Sequence, residues 1–172
     1  LRTPFRDARS RIRSLAAVHE ILYRSEDLER IDFASYARIL ATELVRSHGF
    51  DGRRVELTVA VEDISLGLET AAPCGLILNE LLTNTLKHAF GDEGTGQIRI
   101  GLRAASGRRL TLTYSDNGCG LAIPDPGPGG FGLRLVEDLA YQLGGTLTVT
   151  GEPGTTVELS FPATSQDRIP GD

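Results

Sequence analysis

The spacing of apolar residues changes near residue 50. Over residues 5–24, FRDARSRIRSLAAVHEILYR, the side chains of Ile12, Leu15, Ala16, His19, Leu22 and Tyr23 share one stripe of an α-helix. That spacing is typical of a helix packing on a partner helix. Arg6, Arg9, Arg13 and Arg24 fall around the stripe and read as a solvated face. SEDLER is a connector. Residues 32–48 then predict a second helix, with Asp32 as N-cap and Gly49 as C-cap.

Beyond Gly49 the period shortens to two. RRVELTVAVE (53–62) alternates as a strand does, and ISLGL (64–68) could pair with it. Residues 70–90 return to helical spacing, with Pro73 in the first turn, where a missing N–H costs little. QIRIGLRAA (97–105) and RRLTLTYSD (108–116) alternate around Ser106-Gly107, a hairpin signal. Residues 117–132 contain six Gly and three Pro and predict a loop. A helix follows over 133–143, stopped by Gly144-Gly145, and then strands over 146–151 and 155–162 that turn at EPG. The polar tail, residues 164–172, is predicted to be disordered. From Arg53 onward this order fits an α+β two-layer sandwich, with helices on one face of a mixed, mostly antiparallel sheet and a helical segment before it.

The helix containing LILNELLTNTLKHAF (76–90) carries more polar groups than a core helix needs. At about 100° per residue from Glu80, Asn84 falls near 40°, Lys87 near 340° and His88 near 80°. Leu78, Leu82 and Ala89 fall roughly opposite, near 160–200°. The helix thus has an apolar back suited to a sheet and a polar stripe on the other side. A solvated face would give the same geometry. Such faces, however, usually repeat Lys, Glu and Arg, and Asn79 and Asn84 are poor helix formers in mid-helix positions.

Three Gly-containing stretches follow. In SDNGCG (115–120), Asp116 ends a strand and can accept a hydrogen bond from an exocyclic amine, while Gly118 and Gly120 permit close approach to a ligand; D-N-G is also a common turn. GPGGFGLRLVEDLA (127–140) clusters glycines before a helix, an arrangement suited to phosphates or simply to a flexible linker. GTT (154–156) reads in isolation as a turn into the last strand.

Composition narrows the classes. The chain has 172 residues, is 40% hydrophobic and 24% charged, and carries a net charge of −5, with a pI near 5.2. That balance argues against a nucleic-acid partner. No apolar run approaches the ~20 residues a membrane span requires, and the Arg-rich start lacks the apolar stretch of a signal peptide. Cys74 and Cys119 form no spaced pair, so free thiols and a cytoplasmic location are expected. The chain has no Met, as expected for a piece of a longer protein.

Taken together and in order, these segments resemble the ATP-binding domain of the GHKL superfamily, which includes sensor histidine kinases, type II topoisomerases, mismatch-repair ATPases and chaperones. NELLTNTLKHAF is similar to its N box, DNGCGL to its first glycine box, GFGLRLV to its second and GTTVEL to its closing Gly-Thr element. RIRSLAAVHEILYRSEDLERIDFASYARIL resembles the second dimerisation helix and connector of a histidine-kinase subgroup related to the HWE kinases. HWE kinases proper carry a Trp-x-Glu motif before the first glycine box. This chain has no Trp and reads LTYSDNG there, which places it in the sister subgroup with a His-His-Arg-type phosphoacceptor helix.

The resemblance implies a Bergerat-type fold over residues 50–163, after partial dimerisation helices over 1–49. It implies MgATP as ligand and Asn84 as the Mg²⁺-coordinating residue. Glu80 matches the general base, and Lys87 and His88 match positions beside the phosphates. Asp116 matches the adenine-binding Asp, with Gly118 and Gly120 shaping its pocket and Thr155 near the base. Gly130, Phe131, Gly132 and Leu133 match the end of a short lid, roughly residues 121–131.

The phosphoacceptor His of the family belongs to a first dimerisation helix, and the chain is expected to begin after it. His19 then reads as structural and His48 as a surface residue. The implied function is the catalytic portion of a bacterial two-component sensor histidine kinase. It would move the γ-phosphoryl of MgATP to a His and onward to a response regulator receiver domain, with a homodimer in the full-length protein. The competing reading is a nucleotide-binding regulatory module, partner-switching or pseudokinase, without His autophosphorylation.

Overall fold

The period-two stretches of the sequence become strands of one sheet. The computed structural model describes residues 16, 20, 30–50, 54–90, 94–120, 131–151 and 153–171. The stripe over 5–24, with His19, lies outside them apart from Ala16 and Glu20, which are helical and exposed, and so does the lid expected over 121–131 apart from Phe131. In chain order the elements are β1 (Ile31–Asp32), α1 (Phe33–Ser47), β2 (Val55–Val61), β3 (Ser65–Leu66) and α2 (Leu68–His88). They continue with β4 (Gly96–Ala105), β5 (Arg109–Asp116), α3 (Phe131–Gln142), β6 (Thr146–Gly151) and β7 (Thr155–Pro162).

The main sheet has five strands in the order β2-β4-β5-β7-β6. Only β2 and β4 pair in parallel; the other three pairings are antiparallel. Residues alternate across the sheet as a half-covered strand requires. Ile98, Ile100 and Leu102 of β4, Leu110, Leu112 and Tyr114 of β5, and Val157, Leu159 and Phe161 of β7 are buried. Arg99, Arg103, Thr156 and Glu158 alternate with them and are exposed. The buried set meets Ala71, Cys74, Ile77, Leu78 and Leu82 of α2, so one core lies between sheet and helices. Each such side chain contributes roughly 1.5–3 kcal/mol by leaving water. This is the two-layer α+β architecture expected, with α2 packed between α1 and α3.

The start of α1 forms as expected: Asp32 accepts from the amides of Ala34 and Ser35 at 3.0 and 3.3 Å. At its other end the C-cap is His48 rather than Gly49, which follows it at φ +81. Three further expectations need correction. The stretch around ISLGL does not pair with β2: β3 pairs antiparallel with β1 in a separate two-stranded sheet. Pro73 is not in the first turn of its helix, because α2 begins at Leu68 and Pro73 lies inside it. The Glu69 carbonyl therefore loses its helical donor, but Glu69 is exposed and water can serve it.

The third correction is larger. The tail beyond Pro162 folds back onto the start of α2. That helix starts from Gly67, which has no side chain to cap it, so its first amides need an acceptor from elsewhere. Asp167, 3% exposed, supplies one. Its carboxylate accepts from the Gly67 amide at 2.9 Å and the Thr70 hydroxyl at 3.0 Å. It also accepts from the Thr164 amide at 2.7 Å and hydroxyl at 3.0 Å. Arg168 exchanges backbone hydrogen bonds with Ser65, and Ile169 is buried. Local composition cannot reveal a cap that arrives from 97 and 100 residues away.

Asp167→Ala is expected to lower the unfolding free energy by about 2–4 kcal/mol, since it leaves buried donors unsatisfied. Urea denaturation checks this: the midpoint should fall, and an unchanged midpoint would mean that the tail does not hold α2.

Candidate functional site

Where the C-terminal half of α2 passes the end of β5, the polar groups singled out in the sequence come together. The alternation of β5 turns Tyr114 and Asp116 toward the helices, and both are buried, at 1% and 7% exposure. One oxygen of the Asp116 carboxylate accepts from the Thr85 hydroxyl of α2 at 2.8 Å. The other accepts from the Gly118 amide at 2.9 Å. Thr85 in turn accepts from the Tyr114 hydroxyl at 2.6 Å. Burial pushes the Tyr114 phenol far above its ordinary range, and the neighbouring Asp116 carboxylate pushes the same way.

The segment after Asp116 is pinned to the end of α2. The Cys119 amide donates to the Ala89 carbonyl at 2.9 Å. The Asn117 amide donates to the Gln97 carbonyl at 3.2 Å, and its side-chain oxygen accepts from the Gln97 amide at 2.7 Å. This approach requires Gly118: a Cβ there would lie 2.4 Å from the Ala89 Cβ and 2.7 Å from its carbonyl oxygen. From the other side, β7 pairs its first residue, Thr155, with Asp116. Gly154 precedes it at φ +72, and a Cβ there would fall 2.0 Å from the Asp116 carbonyl oxygen.

The remaining candidates are graded along α2. Glu80 is buried at 7% exposure, Asn84 is half-buried, and Lys87 and His88 are exposed in the last turn. The helix is thus more enclosed than a polar stripe facing open solvent. Ala89 is the C-cap of the helix and packs, half-buried, against the core. Gly120 is half-buried at φ +83, and Thr155 is buried. Phe131 opens α3, where Gly132 is buried and Leu133 half-buried. Gly130 lies outside the described residues. Cys74 is buried and Cys119 exposed, both as free thiols.

Sequence reasoning missed Thr85 and Tyr114. A signal was present: Thr85 falls on the apolar side of α2 by its helical angle, and a buried hydroxyl among leucines requires a partner. Tyr114, an inward position of β5, carries a hydroxyl with the same requirement.

The chain is similar to known proteins along most of its length. Residues 70–165 match the family described as histidine kinase-, DNA gyrase B-, and HSP90-like ATPase, and residues 1–48 match a family described as histidine kinase. The chain is 36% identical over 128 residues to blue-light-activated histidine kinase 2 of Erythrobacter litoralis, a match covering 71% of this chain and 36% of that protein. It is 34% identical over 87 residues to the nitrate/nitrite sensor protein NarQ of Escherichia coli, covering 49% and 15%. The chain thus spans about a third or less of the length of these curated relatives. The solved histidine kinase domain of the Erythrobacter litoralis EL346 blue-light activated histidine kinase superposes with a TM-score of 0.78 at 28% identity, covering 91% of this chain and 81% of that one.

Gly154 and Gly107 have nearly equal positive φ, +72 and +70, but only Gly154 would drive a Cβ into another residue. Alanine should therefore cost about 1–2 kcal/mol at Gly107 from backbone strain, and roughly 1–3 kcal/mol more at Gly154 from the collision. Thermal melting of the two variants separates these contributions. Equal losses would show that the backbone beside Asp116 yields freely.

Proposed function

The chain belongs to the histidine kinase-, DNA gyrase B- and HSP90-like ATPase family, and we propose that it is the catalytic, ATP-binding portion of a bacterial two-component sensor histidine kinase. One observation carries the reading: a buried carboxylate, Asp116, fixed between α2 and the Gly118 amide. A buried carboxylate with open lone pairs seeks a donor from a ligand, and the exocyclic amine of adenine is one. Gly118, Gly120 and Thr155 form the rest of the adenine pocket. Gly132 and Leu133, at the start of α3, belong to its phosphate end.

On this reading the triphosphate runs along α2 from the Asp116 end. Lys87 and His88 sit beside it, a point charge and an imidazole suited to polyphosphate. Glu80 polarises the attacking nucleophile. Phosphoryl transfer demands mainly positioning and charge neutralisation, which a rigid, packed helix can provide. Among the described residues no group of three or more His, Cys, Asp or Glu could hold a metal. Asn84 offers a single hard oxygen, which suits Mg²⁺ taking its other ligands from phosphate and water. The ion, when bound, offsets phosphate charge.

The phosphoryl acceptor is a His on dimerisation helices of the kind matched by residues 1–48, within a homodimer. The next acceptor is the receiver-domain Asp of a response regulator. The protein works in the cytoplasm, where ATP is available. Among the described residues no helix is long and apolar enough to cross a membrane.

Calorimetric titration with ATP, with and without Mg²⁺, tests the assignment. Wild type should bind MgATP. Asp116→Ala should weaken binding at least about tenfold, or ~1.4 kcal/mol, and Asn84→Ala should remove most of the Mg²⁺ dependence. Equal indifference to ATP in all three proteins would sink the assignment.

A further inference from the structure

We infer that Thr85 and Tyr114 are positioning residues that make Asp116 a selector for 6-aminopurines, by fixing the direction of every hydrogen bond that enters its carboxylate. The inference rests on the proposed adenine site and deepens it. Its basis is the run of hydroxyls from Tyr114 through Thr85 to Asp116, at 2.6 and 2.8 Å.

The direction of that run follows from counting protons. A phenol has one proton, and Tyr114 is 1% exposed, so it must spend that proton inside the protein. The partners within reach are Thr85 Oγ1 at 2.6 Å and the Leu81 carbonyl at 3.5 Å. The shorter bond goes to Thr85. Burial keeps the phenol protonated, so Tyr114 remains a donor. Thr85 then accepts from Tyr114, and its own single proton goes to Asp116 Oδ2, a carboxylate oxygen that can only accept. The Gly118 amide supplies the donor to Oδ1.

Each carboxylate oxygen is therefore tied by one internal donor and keeps a lone pair for a ligand. Two donors from different elements, α2 and the loop after β5, prevent the group from rotating. They also provide its internal hydrogen bonds without offering any donor outward. An amine at the purine 6-position satisfies such a site. An oxygen there meets only acceptors, and a buried acceptor left facing an acceptor is strongly disfavoured. Sites built in this way reject an unmatched analogue far more strongly than apolar pockets do. Without the Thr85 hydroxyl, Oδ2 loses its anchor, and the carboxylate is free to turn or to recruit water that serves either purine.

The test is the ratio of dissociation constants for ATP and for inosine triphosphate, which carries an oxygen in place of the amine. The ratio is measured on the same sample of wild type, Thr85→Ser, Thr85→Val, Tyr114→Phe and Asp116→Asn. A ratio is not moved by the loss of correctly folded protein, which a merely structural role would cause. Wild type and Thr85→Ser should prefer ATP strongly. Thr85→Val should reduce the preference about tenfold or more, and Tyr114→Phe by less, because Thr85 survives there. If Thr85→Val and Tyr114→Phe kept the wild-type ratio while Asp116→Asn abolished it, the positioning role would be wrong and the adenine site would stand. If wild type and Asp116→Asn showed the same ratio, the adenine site itself would fall, and the positioning role with it.

Discussion

The hydrogen bond between Thr85 and Asp116 is the point on which the rest of this structure turns. It joins the most buried helix to a central strand at the place where both sequences turn from apolar to polar. Along α2, Ile77, Leu78 and Leu82 are fully buried, and at its C-terminal end the helix emerges at Lys87 and His88. Along β5, inward positions run Leu110, Leu112, Tyr114, Asp116. The last is a carboxylate that could not remain buried without donors. Thr85 and the Gly118 amide supply them. The polar site is therefore an extension of the core, and its groups are oriented by the packing that stabilises the fold.

Strand order makes this arrangement possible. Placing β7 beside β5 sets Thr155 against Asp116, and the turn before it can approach only because residue 154 has no Cβ. A second buried aspartate serves the opposite end of the same helix. Asp167 receives the Gly67 amide and the Thr70 hydroxyl, so α2 is anchored by a carboxylate near each end. At the N-terminus the acid also lies in the favourable direction of the helix dipole. The C-terminal segment, polar and unremarkable in composition, thus helps to fix the element that carries Glu80 and Asn84.

Much of this was legible in the sequence, and the reasons can be traced. The last two strands, 146–151 and 155–162, match their sequence boundaries because period-two alternation and the glycines at their ends agree. The N-cap at Asp32 was legible because capping is a local interaction. What was not legible depends on partners distant in sequence. The short strand at 65–66 chose β1 over the nearer β2, and neither pairing has a local signature. The tail looked disordered because it is held by residues distant in sequence, among them Gly67, Thr70 and Arg108. In the site, Asp116 and the glycines were singled out by the resemblance of their segments, taken in order, to family motifs; type and spacing alone also fitted a turn. Thr85 was passed over because a helical-wheel count treats a threonine among leucines as filler. Buried hydroxyls should be read instead as questions about where their protons go.

That question also explains how the site divides its work. Groups that recognise a flat, neutral ring must be rigid, because a hydrogen bond discriminates only when the protein cannot turn to accommodate the wrong partner. Asp116, Thr85 and Tyr114, to which the proposed reading gives that task, are buried and mutually bonded. Groups that meet a highly charged triphosphate gain from long-range attraction and need less exact placement. They can tolerate solvent, which fits the exposed last-turn positions of Lys87 and His88 under the proposed assignment. Glu80 is as buried as Asp116, at 7% exposure, and Asn84 is half-buried. Burial along the second half of α2 follows the helical face: Thr85 is buried between half-buried Asn84 and exposed Lys87. On the proposed assignment a single helix can serve both demands because Thr85 is held in the core while Lys87 and His88 are exposed.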